Sequence, residues 1–111
     1  MADRQKSKPT SVMNDTKWDE IRLAMHELPF PCKWRTVSTE GYQSEPDADW
    51  YYHFRIGGYN CISYLDILVT DDTKRKAVRE ILQAIHVPGE ETAEGFRIYG
   101  YQAENMAMNY L

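Results

Sequence analysis

Trp50-Tyr51-Tyr52-His53-Phe54-Arg55-Ile56 is the stretch on which the fold turns. Read with period two, it puts Trp50, Tyr52, Phe54 and Ile56 on one face and Tyr51, His53 and Arg55 on the other, the pattern of a strand with an apolar inner side. Gly57-Gly58-Tyr59-Asn60 follows as a turn signal, and Cys61 to Val69 reads as the returning strand of a hairpin. On that strand Leu65, Ile67 and Val69 fall with Ser63, while Ile62, Tyr64, Asp66 and Leu68 lie opposite. The first set is expected to join Trp50, Tyr52 and Phe54 in the core.

Outward from this pair, the elements follow from periodicity and punctuation. Trp18, Ile21, Met25 and Leu28 recur at helical spacing from a cap at Asp15 or Thr16 until Pro29 and Pro31 stop the helix. Trp34 to Thr39 reads as a strand, and the acidic, Pro-containing segment from Glu40 to Asp49 as a loop. A second helix starts at Asp71, Asp72 or Thr73, repeats Val78, Ile81, Leu82 and Ile85, and stops at Val87-Pro88-Gly89. An acidic linker leads to a last strand, Phe96 to Tyr101. Residues 1–13, rich in Lys, Ser, Pro and Thr, are expected to form a flexible tail before a single domain of residues 14–111. The order αβββαβ predicts an α+β two-layer sandwich, a four-stranded, mainly antiparallel sheet with both helices on one face.

Composition bounds the function. At 111 residues the chain buries roughly two thirds of its unfolded surface and needs no disulfide. Residues 1–13 hold three of the basic side chains against Asp3, so the −4 of the whole chain becomes −6 for the body, which argues against nucleic acid as a partner. Cys32 and Cys61 are too few and too far apart for a zinc cluster and read as reduced thiols. With no signal peptide and no span of eighteen apolar residues, a cytoplasmic protein away from membranes is expected.

If the helices cover the apolar side of the sheet, the other side presents Tyr51, His53, Arg55, Tyr64, Asp66, Arg97, Tyr99 and Tyr101. Tyrosine and arginine give large contact area and directed hydrogen bonds at low entropic cost, so this face is the expected binding surface, for a second copy of the chain or another protein. The competing reading is a plain solvated sheet whose cross-strand pairs exist for their own sake. An enzyme would use His53 as base, Asp66 to fix its tautomer and Arg55 or Arg97 to hold an anion, but the turn permits several registers and only some pair His53 with Asp66. Binding is favoured over a small-molecule or hydrolytic site there. His26 and His86 lie at helix ends, where His86 suits the dipole of a helix C-terminus. No phosphate loop, nucleophile elbow or Cys-x-x-Cys pair points to a cofactor or metal. Lys74, Arg75, Lys76 and Arg79 form a basic cluster on the second helix, read as a solvated face neutralised by Asp71 and Asp72 rather than as a phosphate contact.

Trp18-Asp19, the Trp50 to Arg55 segment, Tyr64-Leu65-Asp66-Ile67 and Ile98-Tyr99-Gly100-Tyr101 together resemble a small bacterial α+β domain family of unassigned function, over most of residues 15 to 101. The composition is also similar to immunity proteins that neutralise toxins by binding them. What the resemblance implies is partner binding without catalysis.

Overall fold

In the computed structural model, which describes residues 10–102 and 107–111, two helices pack over a four-stranded antiparallel sheet. Strand β1, Thr10–Ser11, is followed by helix α1, Asp15–His26, strands β2, Lys33–Ser38, and β3, Ile62–Leu68, helix α2, Asp72–Ile85, and strands β4, Gly89–Thr92, β5, Gly95–Tyr99, and β6, Tyr101–Gln102. The main sheet runs β2-β3-β5-β4, and β1 pairs with β6 in a separate two-stranded sheet. The α+β class and the four-stranded sheet agree with the sequence reading, and so do the buried stripe of α1 and the limits of α2.

Helix α1 is capped by the Asn14 side chain, which accepts from the Lys17 amide at 2.8 Å, and α2 by Asp71, which accepts from the Lys74 amide at 3.0 Å. His86 closes α2 in the left-handed region at φ 67°. Alternation in β3 and β5 sorts their side chains as expected. Leu65, Ile67, Phe96 and Ile98 are buried in one core cluster with Trp18, Ile21 and Met25 of α1 and Val78 and Leu82 of α2, while the register Tyr64↔Tyr99 and Asp66↔Arg97 lines up the opposite face.

The expected strand at 50–56 is not a strand. Its backbone turns, with hydrogen bonds from the Arg55 amide to the Tyr52 carbonyl at 3.3 Å and from Gly58 to Arg55 at 3.0 Å. The Asp49 carboxylate caps the turn by accepting from the Tyr52 amide at 3.0 Å. In such a turn residues four apart share a side, so Trp50 and Phe54 are buried while Tyr52 and Ile56 stand 55% and 56% exposed. The sheet recovers its fourth strand from the supposed acidic linker: β4 pairs with β5 across the two-residue turn Ala93-Glu94. The order over the main sheet is therefore αββαββ rather than αβββαβ, and the partner of β3 is β2, not residues 50–56.

Phe54 is the hub this turn delivers to the core. Its ring lies 4.9 Å from Trp50, 5.2 Å from Trp34, 5.7 Å from Tyr59 and 6.1 Å from Trp18, the offset and edge geometries that aromatic quadrupoles favour. Helix α1 clamps the turn from outside: Arg22 Nη1 donates to the Tyr51 carbonyl at 2.6 Å, and the Tyr59 hydroxyl donates to Asp19 Oδ1 at 2.5 Å. Of the expected tail, residues 1–9 lie outside the described residues. Thr10 and Ser11 pair with Gln102 and Tyr101.

Candidate functional site

The face of the sheet turned away from the helices is organised around one carboxylate. Asp66 sits in the middle strand and is only 7% exposed, a costly position for a charge unless it is paired and hydrogen-bonded. Register supplies the partners, because Arg35 of β2 and Arg97 of β5 lie directly across from it on either side. Arg97 binds both oxygens, Nε to Oδ1 at 2.8 Å and Nη2 to Oδ2 at 3.1 Å. Arg35 Nη2 adds a third bond to Oδ2 at 3.1 Å. Donating to the Asp66 carboxylate holds the Arg97 guanidinium well above the ordinary arginine range.

Aromatic rings complete the surface. The Arg97 guanidinium lies 4.0 Å from the centre of the Tyr64 ring, a cation–π contact that leaves it little freedom. Tyr64 meets Tyr99 edge-on at 6.3 Å, and the Tyr99 hydroxyl donates to Glu90 Oε2 at 2.9 Å. Burial, then that bond, raises the Tyr99 hydroxyl above its usual value. Glu94 approaches Arg35 at 3.5 Å, and beside these two a shallow hollow of about 310 Å³ is lined by Leu68, Val69 and Thr70. The Arg35 Nε is buried with no hydrogen-bond partner.

Of the eight expected site residues, the structure brings together Tyr64, Asp66, Arg97 and Tyr99. Tyr51, His53 and Arg55 belong to the 50–57 turn instead. Tyr51 packs on His26 at 4.9 Å and under the Arg22 guanidinium, and His53 Nδ1 pairs with Asp47 Oδ2 at 2.9 Å. Tyr101 is in β6, its hydroxyl bonded to the Asn60 carbonyl at 2.6 Å. The quartet of His53, Asp66, Arg55 and Arg97 is not assembled. His53 shares a cavity with Trp34 and Thr36, whose side chains leave β2 on the side opposite Arg35.

Arg35, Glu90 and Glu94 are the members of the face that sequence reasoning missed. The alternation Trp34, Arg35, Thr36 carried the signal for Arg35, whereas Glu90 needed the unrecognised strand β4. The two arginines of the basic cluster on α2 pair with Glu91 rather than with Asp71 and Asp72, while Lys74 and Lys76 stand exposed. Arg75 donates to Glu91 at 2.8 Å and to the Val69, Thr92 and Ala93 carbonyls, Arg79 donates to Glu91 at 2.6 Å, and Lys74 lies over the Phe30 ring. Hydrogen bonds from Arg79 and Arg75 lower the Glu91 carboxyl to about 2.

The outer edge of β2 and the start of β4 are occupied. The segment 42–47 runs along β2, with Trp34 and Asp47 exchanging backbone bonds at 2.8 and 2.9 Å and Ser44 donating to Thr36 at 2.9 Å. At the start of β4, Gly89 donates to the Asn109 carbonyl and Leu111 to Val87. Among the described residues no group of three His, Cys, Asp or Glu side chains is placed to hold a metal ion, and no helix is long and apolar enough to cross a membrane.

The family model for DUF6678, described as a family of unknown function, matches residues 2–105. The chain belongs to that family. No curated protein and no solved structure matches it.

Proposed function

We propose that this protein is a non-enzymatic binding domain whose contact surface is the open sheet face formed by Arg35, Tyr64, Asp66, Arg97 and Tyr99. The observation that carries the reading is the Arg97 side chain, fixed through both oxygens of a buried carboxylate and stacked on Tyr64. A rigid arginine between tyrosines offers contact area with its ordering cost already met, the composition that concentrates binding energy at interfaces. Because segment 42–47 runs along β2 and residues 109–111 close the start of β4, docking on the face is favoured over addition of a strand.

Strand spacing bounds the partner. Four strands about 4.8 Å apart and four to seven residues long present roughly 350 Å², below the ~800 Å² per partner of a stable complex. A second copy on this face alone is thus a weak dimer, and a different protein that also reaches the rim is the better fit. Neutralisation of a toxin by direct binding is the most concrete form of this reading, supported by the acidic body. Two free thiols, Cys32 and Cys61, suit a reducing compartment such as the cytoplasm.

A photo-crosslinking amino acid placed at Tyr99 in the native cell tests the interface, with Lys76 on α2 as the control position. An adduct from position 99 and none from 76 is expected. Adduct mass separates a second copy, at twice the 13.0 kDa chain, from another protein. No adduct from position 99, or equal yields from both, would refute the reading.

A further inference from the structure

Arg35 brings more charge to the open face than the fold uses. The Asp66 carboxylate is already gripped through both oxygens by Arg97, at 2.8 and 3.1 Å, and a single guanidinium neutralises it. Arg35 is carried to the same group nonetheless, on a side chain only 21% exposed. Among the described residues it makes one hydrogen bond, from Nη2 to Asp66 Oδ2 at 3.1 Å, out of the five donors a guanidinium holds. Its Nε is buried and unbonded. Glu94 Oε1 stands 3.5 Å from Nη2 on a side chain 72% exposed, at the far limit of a hydrogen bond and well solvated, which makes it a weak counter-ion. A largely buried cation with unused N–H groups is costly until an acceptor completes it.

Room for that acceptor lies beside the guanidinium. The hollow of about 310 Å³ has an aliphatic wall in Leu68 and Val69, the exposed Thr70 at its rim, and Arg35 and Glu94 at its charged end. Lys33 is exposed directly across the β2–β3 register from Leu68, so a second cation borders the same corner. The acidic balance of the body does not cancel this local sign, because exposed charges more than about 8 Å away are screened at physiological salt.

Resting on the interface reading above, we propose that this hollow is the anchor pocket of that interface and that its occupant is a glutamate side chain of the partner protein. The carboxylate takes the unused donors of Arg35 and displaces Glu94, in the charge-assisted pairing for which arginine is suited. The two methylenes of a glutamate match the aliphatic wall. Glu94 is then a built-in competitor, holding the place of the partner's carboxylate in the free protein.

Butyrate, which is the glutamate side chain without its backbone, is the probe, with butyramide as the uncharged control. Each is titrated at fixed ionic strength while the Arg35 Nε–H signal is followed by heteronuclear NMR. A saturable shift with butyrate and none with butyramide is expected. Glu94→Gln should tighten butyrate by about two- to fivefold, the worth of an exposed ion pair. Arg35→Lys, which keeps the charge and loses the planar fork, should weaken it by roughly tenfold. In the native cell, a photo-crosslinker at Thr70 should capture the same protein as one at Tyr99, in higher yield when combined with Glu94→Gln. Capture from position 99 but not from 70, or butyrate binding that Glu94→Gln leaves unchanged or weakens, would overturn the anchor while the interface stands. No adduct from position 99 would refute the interface itself, and butyrate binding without it would make the hollow a site for a free acid, against the proposal. Glu94 lies on an exposed turn, so its variant keeps the test decisive even where Arg35→Lys fails to fold.

Discussion

Truncating Phe54 to alanine separates a core turn from a strand at residues 50–56. The side chain is 3% exposed, so removing it forfeits nearly the whole transfer term, about 2 kcal/mol. The ~100 Å³ vacated adds ~2 kcal/mol at the cavity cost measured for buried truncations. Four surrounding rings lose their common neighbour, while partial collapse of the surface turn works the other way. The expected destabilisation is about 4 kcal/mol, a large part of what a domain of this size possesses. With a urea dependence of roughly 1.3 kcal/mol per molar, the unfolding midpoint should fall by ~3 M. Tyr52→Ala and Ile56→Ala, which would share that core face in a strand, should each cost less than about 1 kcal/mol at their exposed positions. Comparable urea midpoints for Phe54→Ala and Tyr52→Ala would refute the turn and restore the strand.

Arg97→Ala should destabilise by about 1–3 kcal/mol in chemical denaturation, because it strips the buried Asp66 of a bidentate partner, and Asp66→Asn should cost at least as much, because the amide nitrogen cannot accept from either arginine and both guanidinium groups lose their counter-charge. Gly95→Ala should lower stability by ~2 kcal/mol or more, since Gly95 holds φ +149° and a Cβ there would strike the Ile67 carbonyl. Glu91 bears on acid stability: its carboxyl is lowered from 4.5 to about 2 by Arg79 and Arg75, so its contribution is complete above pH 4.5 and is lost as pH falls toward 2. Thermal midpoints of Glu91→Gln should therefore lie below wild type at neutral pH and converge with it near pH 2; a constant gap would reject the pairing.

Where the sequence was legible, two independent signals agreed. In β3 and β5 period-two alternation coincided with β-branched and aromatic residues, so Leu65, Ile67, Phe96 and Ile98 could be placed inside and Tyr64, Asp66, Arg97 and Tyr99 outside. Where it misled, one local signal hid another. Trp50, Tyr52, Phe54 and Ile56 alternate, but Trp50 and Phe54 are also four residues apart and follow Asp49, a good capping residue hidden at the end of an acidic loop. Strand β4 failed for a different reason. Glu90 and Glu91 are poor strand formers in isolation, and their place in the sheet depends on the Arg75 and Arg79 pairs to Glu91 and the Tyr99 hydroxyl on Glu90, contacts no local window contains.

Strand β2 joins the open face to the core, because consecutive residues of it serve opposite faces. Arg35 reaches Asp66 on the open side, while Trp34 and Thr36 border the cavity that holds His53 and Cys61. A slip of one residue against β3 would exchange the two sets and place Arg35 against the aromatic cluster around Phe54. Register at this strand is held from both edges, by the ladder to β3 and by the backbone bonds between Trp34 and Asp47. Asp47 thus does two things at once: its backbone fixes the strand that presents Arg35, and its side chain fixes His53. Asp47→Asn keeps the first and weakens the second, so it should leave a Tyr99 crosslink intact. Loss of the crosslink in that variant, with the fold retained, would mean that the His53 turn and the open face are one functional unit.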